Sequence, residues 1–255
     1  MAALAVILLF AFPGIADFGG RESGHAAQIS PKFDLFDEDG RVVYADRLRG
    51  IEGKIAFSEY EGGFIADSPE SVGKVFWYVW GDREELTNAE LVATGTNLDT
   101  GETIAVNESR LSGPIYGADA HIVTAFRPFP SKGTWRIDVA LDGKPYGSIT
   151  TRVKDEYIRT ANIRFLLSKD DAVTGDAEVA MVLKGHGLSD TVDVFVSPYG
   201  SRGRETVKTT FEKTGEYIQA MDPITHYSGR LVFDSPGKWQ IEALGEKTIV
   251  EVREK

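Results

Sequence analysis

Cysteine is absent from this chain of 255 residues. That removes disulfides, thiolate metal sites and cysteine nucleophiles in one step. It also removes the lipid-modified cysteine that anchors a bacterial lipoprotein. Histidine is scarce: His25, His121, His186 and His226 are scattered, with no His-x-His or His-x3-His pair to gather a metal. Basic residues are outnumbered, 28 Lys and Arg against 39 Asp and Glu, and the formal net charge is -11. A surface of that sign repels phosphate backbones and anionic headgroups, which are held by clustered Lys and Arg. The short stretch Ser201-Arg202-Gly203-Arg204 reads as a turn. No nucleic-acid partner is expected.

Catalytic signatures are missing as well. There is no Gly-x-Ser-x-Gly elbow and no Ser-x-x-Lys with its partner motifs. No Gly-x4-Gly-Lys-Ser/Thr occurs, and no Gly-x-Gly-x-x-Gly follows a strand and opens a helix. Asp37, Glu38 and Asp39 lack the alternating acids and closing Glu of a calcium loop, and read as a solvated turn. Nothing in the spacing of the carboxylates singles out an acid/base pair. The expectation is a chain with no catalytic residue, no cofactor and no metal.

What is present is ordinary globular composition, 42% hydrophobic and 26% charged, which excludes a disordered chain. The length accommodates two domains of about 100 residues and a leader. Ala2 to Ala16 is a fifteen-residue apolar run ending in small-x-small before Asp17. It is short for a membrane span, which needs roughly 20 residues, and suits the core of a signal peptide. No Lys or Arg precedes it, the first being Arg21. Export signal, membrane anchor and buried N-terminal element all fit the run, the first two better. Residues 17–31 are small and polar and read as a linker.

The chain repeats itself. Ser131-Lys132-Gly133-Thr134-Trp135-Arg136-Ile137-Asp138 returns 104 positions later as Ser235-Pro236-Gly237-Lys238-Trp239-Gln240-Ile241-Glu242. Apolar residues fall at every second position in both copies, which sends one face of a strand into a core. The Gly ahead of each Trp supplies a turn, and Trp135 and Trp239 plug the buried row. From Lys32 onward short alternating segments are separated by Gly, Asn and Asp, among them Asp99-Thr100-Gly101 and Asp142-Gly143 as hairpin turns. Asp82 to Leu86 reads as one helical turn or a charged loop. Val75-Phe76-Trp77-Tyr78-Val79-Trp80 is apolar on both parities, so it is buried on both faces or covered on one by a neighbouring element. Trp77 and Trp80 join Trp135 and Trp239 as markers of the core. After Lys154-Asp155-Glu156 a second strand series begins, including Glu205 to Phe211 and Tyr217 to Ala220 with Lys213-Thr214-Gly215 as the turn between them. Short strands with frequent turn signals define an all-β chain. The organisation expected is a leader and linker over 1–31, an immunoglobulin-like β-sandwich over 32–155 and a second one over 156–255.

Phe76-Trp77-Tyr78-Val79-Trp80-Gly81, Glu84-Glu85-Leu86, Leu111-Ser112-Gly113-Pro114, Gly117-Ala118-Asp119-Ala120-His121, Gly133 to Asp138 and Gly147-Ser148-Ile149-Thr150 carry a resemblance. Over residues 74–153 the chain resembles a family of uncharacterised bacterial cell-envelope proteins with an immunoglobulin-like sandwich, many of them lipoproteins. The resemblance implies a fold and a location outside the cytoplasm, and no activity. This chain departs from the lipoprotein members in lacking their anchoring cysteine. Its second half resembles, more loosely, small envelope sandwiches ending in Tyr-x-Gly-x-Leu-x-Phe and then Pro-Gly-x-Trp, here Tyr227 to Phe233 and Pro236 to Trp239. Some of those relatives handle copper or assemble cytochromes. The Met and His residues of this half, Met181, His186, Met221 and His226, are dispersed rather than gathered.

Asp119 and His121 lie two apart, so on a strand both face one way and are the candidate ligand-binding pair; a hydrogen-bonded strand start is the plainer role. Phe76 to Trp80 offers a stacking face for a sugar or peptide, or sandwich core. The sequence therefore points first to a non-catalytic, extracytoplasmic protein of the cell envelope. Its partner would be another envelope protein or a cell-wall component, with membrane contact only through an uncleaved N-terminal segment. A ligand- or metal-binding accessory module comes second, and an enzyme with an unrecognised catalytic group third.

Overall fold

The structure is a computed structural model that describes residues 28–60, 62–200, 206–219 and 222–255. The apolar run, the linker up to residue 27, His25, Ser201 to Arg204, Ala220 and Met221 lie outside the described residues. Strand accounts for 63% of the described residues and helix for 5%, an all-β architecture of tandem β-sandwiches.

Ten strands build the first sandwich. β1 (Lys32–Phe36), β2 (Val42–Ile51), β3 (Ile55–Ser58), β5 (Val75–Val79) and β8 (Ala120–Thr124) form one sheet in that order. β4 (Phe64–Ile65), β10 (Lys144–Lys154), β9 (Gly133–Leu141), β6 (Glu90–Asn97) and β7 (Thr103–Arg110) form the other. All pairs are antiparallel except β4 with β10. Strict alternation on β9 buries Gly133, Trp135, Ile137, Val139 and Leu141 against the facing sheet. On β5 the odd parity, Val75, Trp77 and Val79, enters this core. Its even parity, Phe76, Tyr78 and Trp80, enters a smaller cluster with Leu35, Tyr44 and Leu48, so β1 and β2 cover the outer side. Both parities are apolar because both sides are covered. Trp80 is half-buried there and donates its indole N–H to the Gly117 carbonyl at 2.9 Å. Asp82 caps a single helical turn (Arg83–Leu86) by accepting from the Glu84 and Glu85 amides.

The second sandwich is one sheet. Its order is β11 (Tyr157–Arg159), β12 (Ile163–Ser168), β13 (Gly175–Lys184), β16 (Asp222–Phe233), β15 (Val207–Gln219), β14 (Thr191–Pro198), β17 (Gly237–Ala243) and β18 (Glu246–Val252). The sheet folds over so that Phe165, Met181 and Tyr227 share a core with Val194, Trp239 and Val250. Lys213-Thr214-Gly215 is not a turn. β15 runs straight through it with a register shift between Lys213 and Gly215, a β-bulge that uses turn-like residues without reversing the chain. β15 continues to Gln219, which pairs with Asp222 at the start of β16. Gly229 is required where β15 and β16 pair, because a Cβ there would lie 2.5 Å from the Phe211 ring.

The two copies of the repeated motif adopt one geometry. Trp135 and Trp239 are 0% and 2% exposed. Each indole donates to the carbonyl of the serine four residues earlier, Ser131 at 3.0 Å and Ser235 at 2.9 Å. That bond closes a loop through Gly133 or Gly237, whose φ angles of +139° and +124° are left-handed. The structure extends the repeat by one position that the sequence reading passes over. Phe129 and Phe233, each six residues before its tryptophan, pack against it at 5.1 and 5.6 Å between ring centroids. Each motif strand then turns into its partner through two residues of positive φ, Asp142-Gly143 (46° and 73°) and Leu244-Gly245 (50° and 80°). That is the two-residue turn suited to strand twist.

Leu244 is the wrong residue for its place, since a branched apolar side chain resists the left-handed region that Asn and Asp tolerate, and it is 64% exposed. Leu244→Asn is expected to stabilise the protein by about 1 kcal/mol and raise the melting temperature by about 2–4 °C in calorimetry. An unchanged or lowered melting temperature would show that the turn carries no strain.

Candidate functional site: the cleft at the junction of the sandwiches

β3 runs into the first sandwich with all four residues buried, and the next residue, Glu59, is also only 5% exposed. A carboxylate in that position needs partners, because a buried unpaired charge costs several kcal/mol. Arg49 of the neighbouring strand β2 supplies a two-pronged contact, Nε to Oε2 and Nη2 to Oε1, the latter at 2.7 Å. The Thr151 hydroxyl of β10 donates to Oε2 at 2.8 Å, and Lys32 of β1 lies 3.2 Å from Oε1. Burial works to raise the Glu59 pKa, and it is outweighed by the hydrogen bond and charge of Arg49, the Thr151 hydroxyl and the Lys32 charge. The net effect holds the carboxyl below its ordinary value. Arg49 also donates to the Ser30 carbonyl at 2.5 Å, while the Ser30 amide donates to the Thr150 carbonyl at 2.9 Å. One ion pair therefore ties β1, β2 and the segment before them to the opposite sheet.

The second wall comes from the junction. β10 ends at Lys154 and β11 starts at Tyr157, so Asp155 and Glu156 alone link the two strands. Both are pinned. The Asp155 amide donates to Asp170 at 2.9 Å and its carbonyl accepts from the Ser168 hydroxyl at 2.6 Å. Glu156 holds Lys169 at 2.6 Å and Arg159 at 2.7 Å. Ion pairs of both polarities bridge the halves around this link. Asp67 and Glu70 of the first sandwich meet Arg159 (2.9 Å) and Arg164 of the second. Lys154 of the first meets Asp171 of the second at 2.9 Å, and Lys132 meets Asp155 of the link at 2.6 Å.

Between these walls lies a cleft of about 510 Å³. Among the described residues its lining has five basic side chains, Lys32, Arg49, Arg152, Lys154 and Arg253, against three acids, Glu59, Asp170 and Asp171. Gly62 and Gly63, with φ of +92° and +71°, turn the chain past its edge. A locally positive cleft on a chain of net charge -11 is suited to holding an anionic group. Glu59 is locked as an ionised acceptor among cations and is not placed to take up protons near neutral pH.

The pair singled out in the sequence sits elsewhere. Asp119 accepts from the Gly81 amide at 3.0 Å and from Arg83 Nε at 2.8 Å. His121 Nδ1 lies 2.7 Å from the Gly113 carbonyl, on β8 opposite Tyr78. His226 packs edge-on to Tyr217 at 5.0 Å, and Met181 is fully buried in the second core. Among the described residues no three His, Asp or Glu side chains gather as a metal would need. No helix among them is long and apolar enough to cross a membrane. Sequence reasoning missed every charged residue of the cleft, which is assembled from positions between Lys32 and Arg253. One signal was available: Thr151 interrupts the buried row Ile149, Thr151, Val153.

No family model matches the chain, and no curated protein does. Among solved structures, a Bacillus anthracis protein described as a candidate lipoprotein is 18% identical, with a TM-score of 0.35 over 50% of this chain and 86% of its own. The Escherichia coli adhesin FdeC is 14% identical, with a TM-score of 0.31 over 83% of this chain and 67% of its own. Likeness at these TM-scores assigns this chain neither a location nor a function.

A carboxyl whose folded pKa is lowered stabilises the fold fully above its unfolded value, 4.5 for Glu, and loses that contribution as pH falls through the folded value. Glu59→Gln is expected to cost about 3 kcal/mol at neutral pH, because it leaves Arg49 buried without a counter-charge. It should also flatten the decline of stability below pH 4.5. Urea melts of both proteins across that range check this, and parallel pH profiles would show that Glu59 is not the titrating group.

Proposed function

We propose that this chain is a non-catalytic, extracytoplasmic protein of the bacterial cell envelope, built of two β-sandwich modules spanning 32–155 and 156–255. It works by holding another envelope protein or a cell-wall component. The observation that carries this reading is the pinned junction. A two-residue link bridged by ion pairs of both polarities makes the modules one stiff body, which presents loops, strand edges and a fixed cleft together. The apolar run Ala2 to Ala16 supports export, and the resemblance over 74–153 supports the envelope as destination. Membrane contact would come through that run if it is retained. The cleft favours a second reading, a ligand-binding accessory module, because it is large enough for a small ligand and opposite in charge to the whole chain.

Protease added to intact cells is expected to digest the full chain, and deletion of residues 2–16 is expected to leave it protected in the cytosol. Purified protein without the leader should retain a specific envelope protein or wall polymer from an envelope extract. A full-length chain protected in the cytosol would overturn the reading.

A further inference from the structure

The charges that the described residues bring to the junction cleft do not cancel. Glu59 is saturated by Arg49, Lys32 and Thr151, and Asp171 takes both its contacts from Lys154 at 2.9 Å. Asp170 accepts from the Asp155 amide, and Lys132 stands 3.9 Å from it. With the acids engaged, two guanidinium groups remain. The Arg152 side chain, exposed on the outer face of β10, makes no hydrogen bond or ion pair among the described residues. Arg253 donates to the uncharged Asp170 carbonyl and has no carboxylate partner among them. Among the described residues Lys32 uses its ammonium on Glu59 alone and keeps donors to spare.

We propose that the cleft binds a phosphate monoester through Arg152 and Arg253, with Lys32 beside them; this rests on the ligand-binding reading above. Two planar forks and an ammonium offer more donors than a two-oxygen carboxylate can accept, and the three terminal oxygens and double charge of a phosphate monoester match them. The backbone that carries Arg253 is fixed. It pairs with Val173, donates to the Ala172 carbonyl at 3.0 Å and accepts from the Thr174 amide at 2.8 Å. Lys154 is held against Asp171 at the rim, and the Glu59–Arg49 pair forms a floor that ligand binding need not disturb. Long polyanions are disfavoured by the charge of the rest of the chain, so the ligand is a single terminal phosphate on a small molecule or a lipid headgroup.

Calorimetric titration of the purified full chain with inorganic phosphate, glycerol 1-phosphate and acetate tests this. The phosphates should bind saturably and more weakly as salt rises, with acetate much weaker. Arg152→Gln and Arg253→Gln should each weaken phosphate binding about tenfold, Arg152→Lys less, and Lys144→Gln on the same strand not at all. Phosphatidylcholine vesicles with and without phosphatidic acid separate the sources. Retention only by phosphatidic acid, released by free phosphate, supports a headgroup; binding of glycerol 1-phosphate without vesicle retention supports a soluble ester. No saturable heat with phosphate, equal binding of acetate, or equal binding by the arginine variants would overturn the proposal. Such a failure would leave export and capture of an envelope partner standing, since these are read by protease access and by the extract.

Discussion

A carboxylate that has lost its water governs the architecture of the first sandwich. Glu59 lies where the two sheets would otherwise part, and its charge is tolerated because three strands and the segment before β1 converge on it. A buried pair of this kind adds little net stability over an apolar pair of the same shape. Its effect is on uniqueness: a β2 shifted by one residue would carry Arg49 to the other face and leave the carboxylate alone. The same pair shapes the cleft, because it consumes one cation and one acid there and leaves the remaining charges unequal.

The tryptophan motif solves a different problem, how to begin a buried strand after an exposed turn. The indole carries the largest apolar surface of the row and one polar atom, and the serine carbonyl four residues back receives that atom in both halves. Because the bond is local, the motif works in sheets built differently. One half has two separate sheets and the other a single sheet folded over, yet Phe, Ser, Gly and Trp stand at matching offsets in each.

Local signals were readable and distant ones were not. β5, β9 and β17 could be placed from sequence because alternation and double-sided apolarity are properties of adjacent residues. Lys213 to Gly215 misled because a bulge and a turn draw on the same residues, and only pairing with β16 distinguishes them. The folding of the second sheet onto itself has no sequence mark, since it depends on which edges approach. Asp119 and His121 stood out by spacing, whereas the structure gives each a nearby backbone partner, the Gly81 amide and the Gly113 carbonyl. The cleft draws its cations from β1, β2, β10 and the residue after the last strand, and no window of sequence contains them.

The ion pairs around Asp155 and Glu156 have a further consequence. Each sandwich offers acids on one flank and bases on the other, so a half turn about the link would set Asp67 and Glu70 against Asp171, and Lys154 against Arg159 and Arg164. The joint behaves as a keyed coupling with a single seat. A foreign module grafted after residue 155 would inherit the tether but not the bearing, and whatever the two halves grip jointly would be lost even though each half folded well.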